Sequence, residues 1–153
     1  MSNRFRFRST IRCNYISYND PITRHTYRLP MLHVRLIHGQ KALKSVALID
    51  SGATTNFIPR ELAELLELDL SKTPKDAVGA GGAFSNIESR IDRCVLVKGI
   101  NSIYEEFDNL FTFVPVQAGT LPYMILGRES IFRRFDIKFQ EREEKVILKR
   151  HGS

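Results

Sequence analysis

One stretch constrains this chain more than any other. The apolar run Val46-Ala47-Leu48-Ile49 has the length of a short core strand, and it stops at Asp50, which gives way at once to Ser51-Gly52-Ala53-Thr54. The Ser-Gly pair predicts a tight turn in which Gly52 takes a backbone conformation closed to residues with a Cβ. A carboxylate fixed at the end of a buried strand suits acid/base chemistry on water, because its surroundings set how readily it gives up its proton.

With 153 residues, 42% of them hydrophobic, and ten Phe but no Trp, the chain can build one core of ordinary size, and no second domain is required. Its net charge of +6 is unevenly placed: residues 1–44 hold nine Lys/Arg against a single acid, Asp20, while the remainder is slightly acidic. The basic end contains Arg4-Phe5-Arg6-Phe7-Arg8, whose period of two predicts an exposed strand or an arm lying on an acidic surface. Clustered Arg with interleaved Phe leaves nucleic acid open as a partner, although no RNA-binding, zinc-finger or helix-turn-helix pattern accompanies it. No apolar run approaches the length of a bilayer span and the Arg-rich start lacks the apolar centre of a secretory signal, so we expect a soluble, cytoplasmic protein without a membrane partner. Cys13 and Cys94 belong to no CxxC or Cys/His cluster, which predicts two plain thiols rather than a disulfide or a zinc site.

The remaining pattern is mostly β. Residues 32–38 alternate like a half-buried strand, Gly39-Gln40 breaks the run, and residues 44–49 resume it, which predicts a hairpin that delivers Asp50. Pro59 suits a first helical position, and Leu62, Leu65 and Leu66 recur at helical spacing, so a short amphipathic helix is expected over residues 59–66. Glycines 79, 81 and 82 mark a hairpin tip within residues 78–84, flanked by strands at 75–77 and 87–91. Strands are also expected at 94–97, 110–116 and 123–127, the last ending at glycine, followed by a short helix over 128–134. Residues 135–139 and 145–149 read as a hairpin around the charged turn Glu141-Arg142-Glu143-Glu144. Three segments follow: a basic N-terminal arm at 1–31, a folded domain at 32–149 and a tail at 150–153.

Asp50-Ser51-Gly52-Ala53 after an apolar strand, a glycine-rich hairpin about thirty residues on, and Ile125-Leu126-Gly127 before a short helix occur in that order. This ordered set resembles the retropepsin-like aspartic proteases from about Leu32 to Leu148. The resemblance implies a small, closed β-barrel-like domain with two short helices, paired about a two-fold axis so that each copy gives one Asp to a shared site. It makes Asp50 the catalytic residue, Ser51 and Gly52 the support of the active-site loop, and Ala53 and Thr54 substrate-binding positions. Gly79, Ala80, Gly81 and Gly82 correspond to the flap that closes over substrate, and Ile125, Leu126 and Gly127 to the segment packed behind the site. Thr54 departs from the acidic residue that many viral members carry there, so viral substrate preference does not transfer. Residues 1–31 have no counterpart in the family core, and read as a propeptide-like arm, a partner-binding segment or a strand added to the sheet.

The residues support a paired site independently. Asp92, Asp108 and Asp136 are followed by Arg93, Asn109 and Ile137, so no second Asp-Ser/Thr-Gly exists within one chain. An active enzyme therefore needs a homodimer, and the resemblance implies a peptide or protein substrate and no metal or organic cofactor. His25, His33, His38 and His151 have no metal-ligand spacing, and Ser9, Ser17, Ser45 and Ser130 lack the setting of a serine nucleophile. Competing with the endopeptidase is a catalytically silent dimeric module whose basic arm binds nucleic acid or an acidic protein.

Overall fold

Alternation along residues 31–38 creates the centre of the fold in a computed structural model of the chain, which describes residues 9–79, 82–100 and 102–152. Leu32, Val34 and Leu36 turn inward and are buried, while His33 stays exposed. That strand, β4 (Met31–His38), pairs antiparallel with β5 (Lys41–Ile49) through the turn at Gly39, whose φ of 56° suits glycine. The hairpin thus ends as expected, with Asp50 directly after β5.

Eleven strands and two short helices make up the described chain. Ahead of β4 come β1 (Thr10–Asn14), β2 (Ile16–Asn19) and β3 (Thr26–Leu29). After β5 follow α1 (Arg60–Leu65), β6 (Lys75–Gly79), β7 (Gly82–Lys98), β8 (Ser102–Pro115), β9 (Met124–Leu126), α2 (Ile131–Arg134), β10 (Phe135–Gln140) and β11 (Lys145–Arg150). β7 is a single strand of 17 residues that unites the two runs expected at 87–91 and 94–97. Its length lets β6 pair with residues 82–86 and β4 with residues 93–97, while β8 runs along the other edge. β9 joins β5 in parallel, placing Leu126 beside Ile49.

The expected barrel closure does not occur. The largest sheet runs β6-β7-β4-β5-β9 with β8 added beside β7, and its outer strands do not hydrogen-bond to one another. β1, β11 and β10 form a separate three-stranded sheet, and β2 with β3 a two-stranded one. Residues 10–14 are therefore a strand joined to the C-terminal hairpin, whereas the alternation at Arg4–Arg8 lies outside the described residues. Buried Ile91, Leu96, Leu126, Ile131, Phe135 and Leu148 belong to one apolar cluster with the inward residues of β4.

Both helices are shorter than their sequence patterns. α1 starts after Pro59 and buries Ala63 and then Leu66, but Leu65 is 65% exposed, so the apolar stripe is narrower than the leucine spacing suggests. Glu67, at φ 57°, ends it. α2 spans only Ile131–Arg134, Ser130 ahead of it having a non-helical backbone, while the amides of Arg128 and Glu129 are directed to carbonyls of the Asp50 loop. Cys13 and Cys94 are both free thiols, and complete burial pushes Cys94 up to about 12.

Candidate active site

The strand order β4-β5-β9 leaves Asp50 where the antiparallel and parallel pairings end together. Its amide donates to Leu126 O at 3.0 Å, which ties the first loop residue to β9. The Gly52 amide donates to Asp50 Oδ1 at 2.8 Å, and the Ala53 amide to Asp50 O at 3.2 Å, closing a tight turn around the carboxylate. Gly52 does not take the left-handed conformation anticipated from the Ser-Gly pair. Its small size matters instead: a Cβ there would stand 3.2 Å from Asp50 Oδ1, crowding the oxygen that the amide serves. Asp50 is half-buried, Ser51 and Thr54 are exposed, and Ala53 is half-buried.

Behind the loop, Gly127 passes so close that glycine is the only residue that fits. An added Cβ would lie 2.1 Å from Thr55 O and 2.6 Å from Ala53 O. The next two amides complete the junction, Arg128 N donating to Ala53 O at 2.8 Å and Glu129 N to Thr54 O at 3.0 Å. Phe57 and Ile125 exchange both backbone hydrogen bonds, at 3.0 and 2.8 Å, so the chain leaving the loop crosses back over β9. Ile125, Leu126 and Gly127 are thus brought against the Asp50 loop.

Asn56 is a further part of this junction that sequence reasoning passed over. It is 2% exposed; its Oδ1 accepts from Gly127 N at 3.0 Å and from Ser130 Oγ at 2.5 Å, and its Nδ2 donates to Phe111 O at 3.0 Å. The available signal was a lone amide ahead of Phe57-Ile58, a position where a buried polar side chain must find partners. Ser130, set aside as a nucleophile, serves here as a clasp between Asn56 and Gly127 O.

The glycine-containing hairpin forms between β6 and β7, with Gly79 opposite Gly82. Ala80 and Gly81, at its expected tip, lie outside the described residues. Phe84 of β7 meets Phe57 at a ring separation of 6.1 Å, and Phe57 meets Phe113 at 5.5 Å, so an aromatic cluster links the hairpin to the loop exit. On the other side Tyr123 packs edge-on against Tyr18 of β2 at 5.2 Å. Burial raises the proton affinity of the Tyr123 phenol, with Tyr18 and the negative charge of Asp50 adding to it. That influence places a β2–β3 residue's ring partner within electrostatic reach of the carboxylate.

The other aspartates singled out from the sequence lie elsewhere. Asp92 accepts the Gly39 amide at 2.8 Å, Asp136 meets His151 Nε2 at 3.0 Å, and Asp108 borders a cavity with Asn109 and Arg133. None joins Asp50.

A family model described as aspartyl protease matches residues 34–129, which takes in the β4–β5 hairpin, the Asp50 loop, the β6–β7 hairpin and Gly127. No curated protein sequence matches the chain. Among solved structures, a retropepsin-like aspartic protease from Rickettsia conorii is similar in fold, with a TM-score of 0.57 at 20% identity over 95% of this chain and 96% of that one. No helix among the described residues is long and apolar enough to cross a membrane. The interlocked loop, the glycine behind it and a family match across most of the chain lead to one assignment: this chain belongs to the aspartyl protease family, and its fold is retropepsin-like.

Proposed function

We propose that the chain is an aspartic endopeptidase that works as a homodimer, with Asp50 of each copy acting on one water. The observation that carries this reading is the setting of Asp50: a half-buried carboxylate at the end of β5, on a loop fixed by backbone contacts to the β9 segment, in the one Asp-Ser-Gly of the sequence. A two-fold contact presents the loop to its own copy and completes a pair of carboxylates. Two carboxylates that close cannot both ionise cheaply, so they share a proton and titrate as a unit. One copy then takes a proton from the attacking water while the other hydrogen-bonds to the peptide carbonyl as negative charge develops there.

The same reading assigns the supporting residues. Gly52 keeps space open beside the reactive oxygen, Ser51 stands exposed where a partner loop can brace it, and Ala53 and Thr54 border the place a substrate backbone would occupy. The β6–β7 hairpin acts as the flap, with residues 79–82 at its tip closing over the peptide and excluding water.

Asp50→Asn in the full chain is the direct test. Cleavage of a general peptide library should fall by about a thousandfold or more, while sedimentation shows the dimer retained. Undiminished cleavage, or a strictly monomeric active enzyme, would overturn the proposal.

A further inference from the structure

The sheet face turned away from the core carries charge that the molecule does not neutralise. Register places Arg35 of β4 directly across from Lys44 of β5, so the two cations share that outer face. Like charges directly opposite one another on an antiparallel pair destabilise it, and neither side chain has an ion pair among the described residues. Three other cations of this sheet and its turns are matched, Lys75 with Glu88, Arg93 with Glu106, and Lys41 with Glu67, whereas Arg90 and Lys98 of β7 add to the unneutralised charge of the sheet among the described residues.

Beside the unmatched pair lies a groove of about 300 Å³, bordered by His33, Arg35, Lys44, Val97, Gly99 and Ile100. Among the described residues, no acidic one lines it. Ile100, in the turn between β7 and β8, is 85% exposed, and Ile103 nearby is 41% exposed. An apolar knob therefore stands next to two unneutralised cations on an open sheet face. Lys44 precedes Asp50 by six positions on one extended strand, so the groove lies about 20 Å from the carboxylate.

We propose that this face docks an extended acidic segment of a protein partner, with carboxylates on Arg35 and Lys44 and an apolar side chain against Val97 and Ile100. The complementarity is specific in kind. Aliphatic lining next to two cations fits alternating acidic and apolar residues, whereas a single-stranded nucleic acid calls for aromatic platforms and a longer run of cations, and among the described residues no ring other than His33 borders the groove. The inference is independent of proteolysis, because the surface is separate from the Asp50 loop.

Fluorescence anisotropy tests it on the full chain carrying Asp50→Asn, so that no probe is cut. The probe is a labelled peptide of about eight residues built from Glu with two Ile, long enough when extended to cross neighbouring strands. We expect saturable binding that weakens with salt, about tenfold weaker binding for Lys44→Glu, and a smaller loss of about threefold for Ile100→Ser. Lys44→Glu should fold at least as well as the parent, since it sets a carboxylate opposite Arg35; should it fail to fold, Arg35→Gln supplies the same reading. Absence of binding, equal binding by a peptide with Lys in place of Glu, unchanged affinity in a folded variant, or tighter binding of single-stranded DNA of equal charge would each overturn the proposal.

Discussion

Tyr123 and Gly127 stand on one short segment, yet each holds a neighbouring region in a different way. Gly127 is locked to the Asp50 loop through backbone: the Asp50, Phe57, Arg128 and Glu129 amides all cross the junction, and Asn56 fills the space between them. Tyr123 holds the β2–β3 hairpin through side chains, one ring against Tyr18. Among the described residues, the backbone hydrogen bonds of residues 16–29 stay within that hairpin. The loop is over-determined and so can keep a carboxylate in place through a reaction. The hairpin is docked, and local opening of such a unit takes far less free energy than opening the core.

The sharpest way to break this contrast is Gly127→Ala. A methyl group 2.1 Å from Thr55 O has only backbone to push against, so the junction itself must move. We expect a loss of about 3 kcal/mol or more in a denaturant titration followed by circular dichroism. A loss under about 1 kcal/mol would mean that the junction is softer than its contacts imply.

Next in size is Asn56→Ala, which leaves Gly127 N and Ser130 Oγ without their shared acceptor and Phe111 O without its donor. Stranding buried polar groups should cost about 2–4 kcal/mol in the same titration. If the two substitutions prove additive, Asn56 and Gly127 act separately; coupling between them would show that the junction behaves as a unit.

The loop side of this comparison was far more legible in the sequence than the hairpin side. Leu48-Ile49-Asp50-Ser51-Gly52 and Ile125-Leu126-Gly127 announce themselves, because a buried strand needs apolar residues and a close backbone approach needs glycine. Asn56 left only a faint trace, since its importance lies in three partners far away in sequence. Residues 16–29 were harder still: Tyr18, Tyr27 and Leu29 alternate weakly, and the pairing that defines the hairpin registers Ile16 with Leu29 across a polar turn at Asp20. Barrel closure, which the family resemblance implied, has no signal of its own in the sequence for a related reason. Local patterns specify strands, whereas whether β6, β8 and β9 meet depends on how long β7 continues.

Tyr18→Ala sharpens the docked side. Removing one ring of an edge-on pair should lower global stability by only about 1 kcal/mol, while amide exchange across residues 16–29 rises strongly. The Tyr123 phenol, held above its ordinary range first by burial and then by Tyr18 and Asp50, should move back toward that range in a spectrophotometric titration. A global loss as large as that of Asn56→Ala would place the hairpin within the core's cooperative unit and erase the contrast.

The smallest effect is expected at the hairpin's other attachment. Arg28 Nε lies 3.0 Å from Glu144 Oε2 in the β10–β11 turn, and a second bond runs from its Nη1 to Ser17 Oγ within the hairpin. Both partners of the ion pair are nearly half exposed, so water already solvates most of what the pair would gain, and salt screens the rest. Arg28→Ala should therefore change stability by less than about 0.5 kcal/mol at physiological salt, and the difference should shrink further as salt is raised. A larger, salt-insensitive loss would mean that the Arg28 stem packs as structure, and that the hairpin is fastened at two points: Tyr123 on one side and the C-terminal turn on the other.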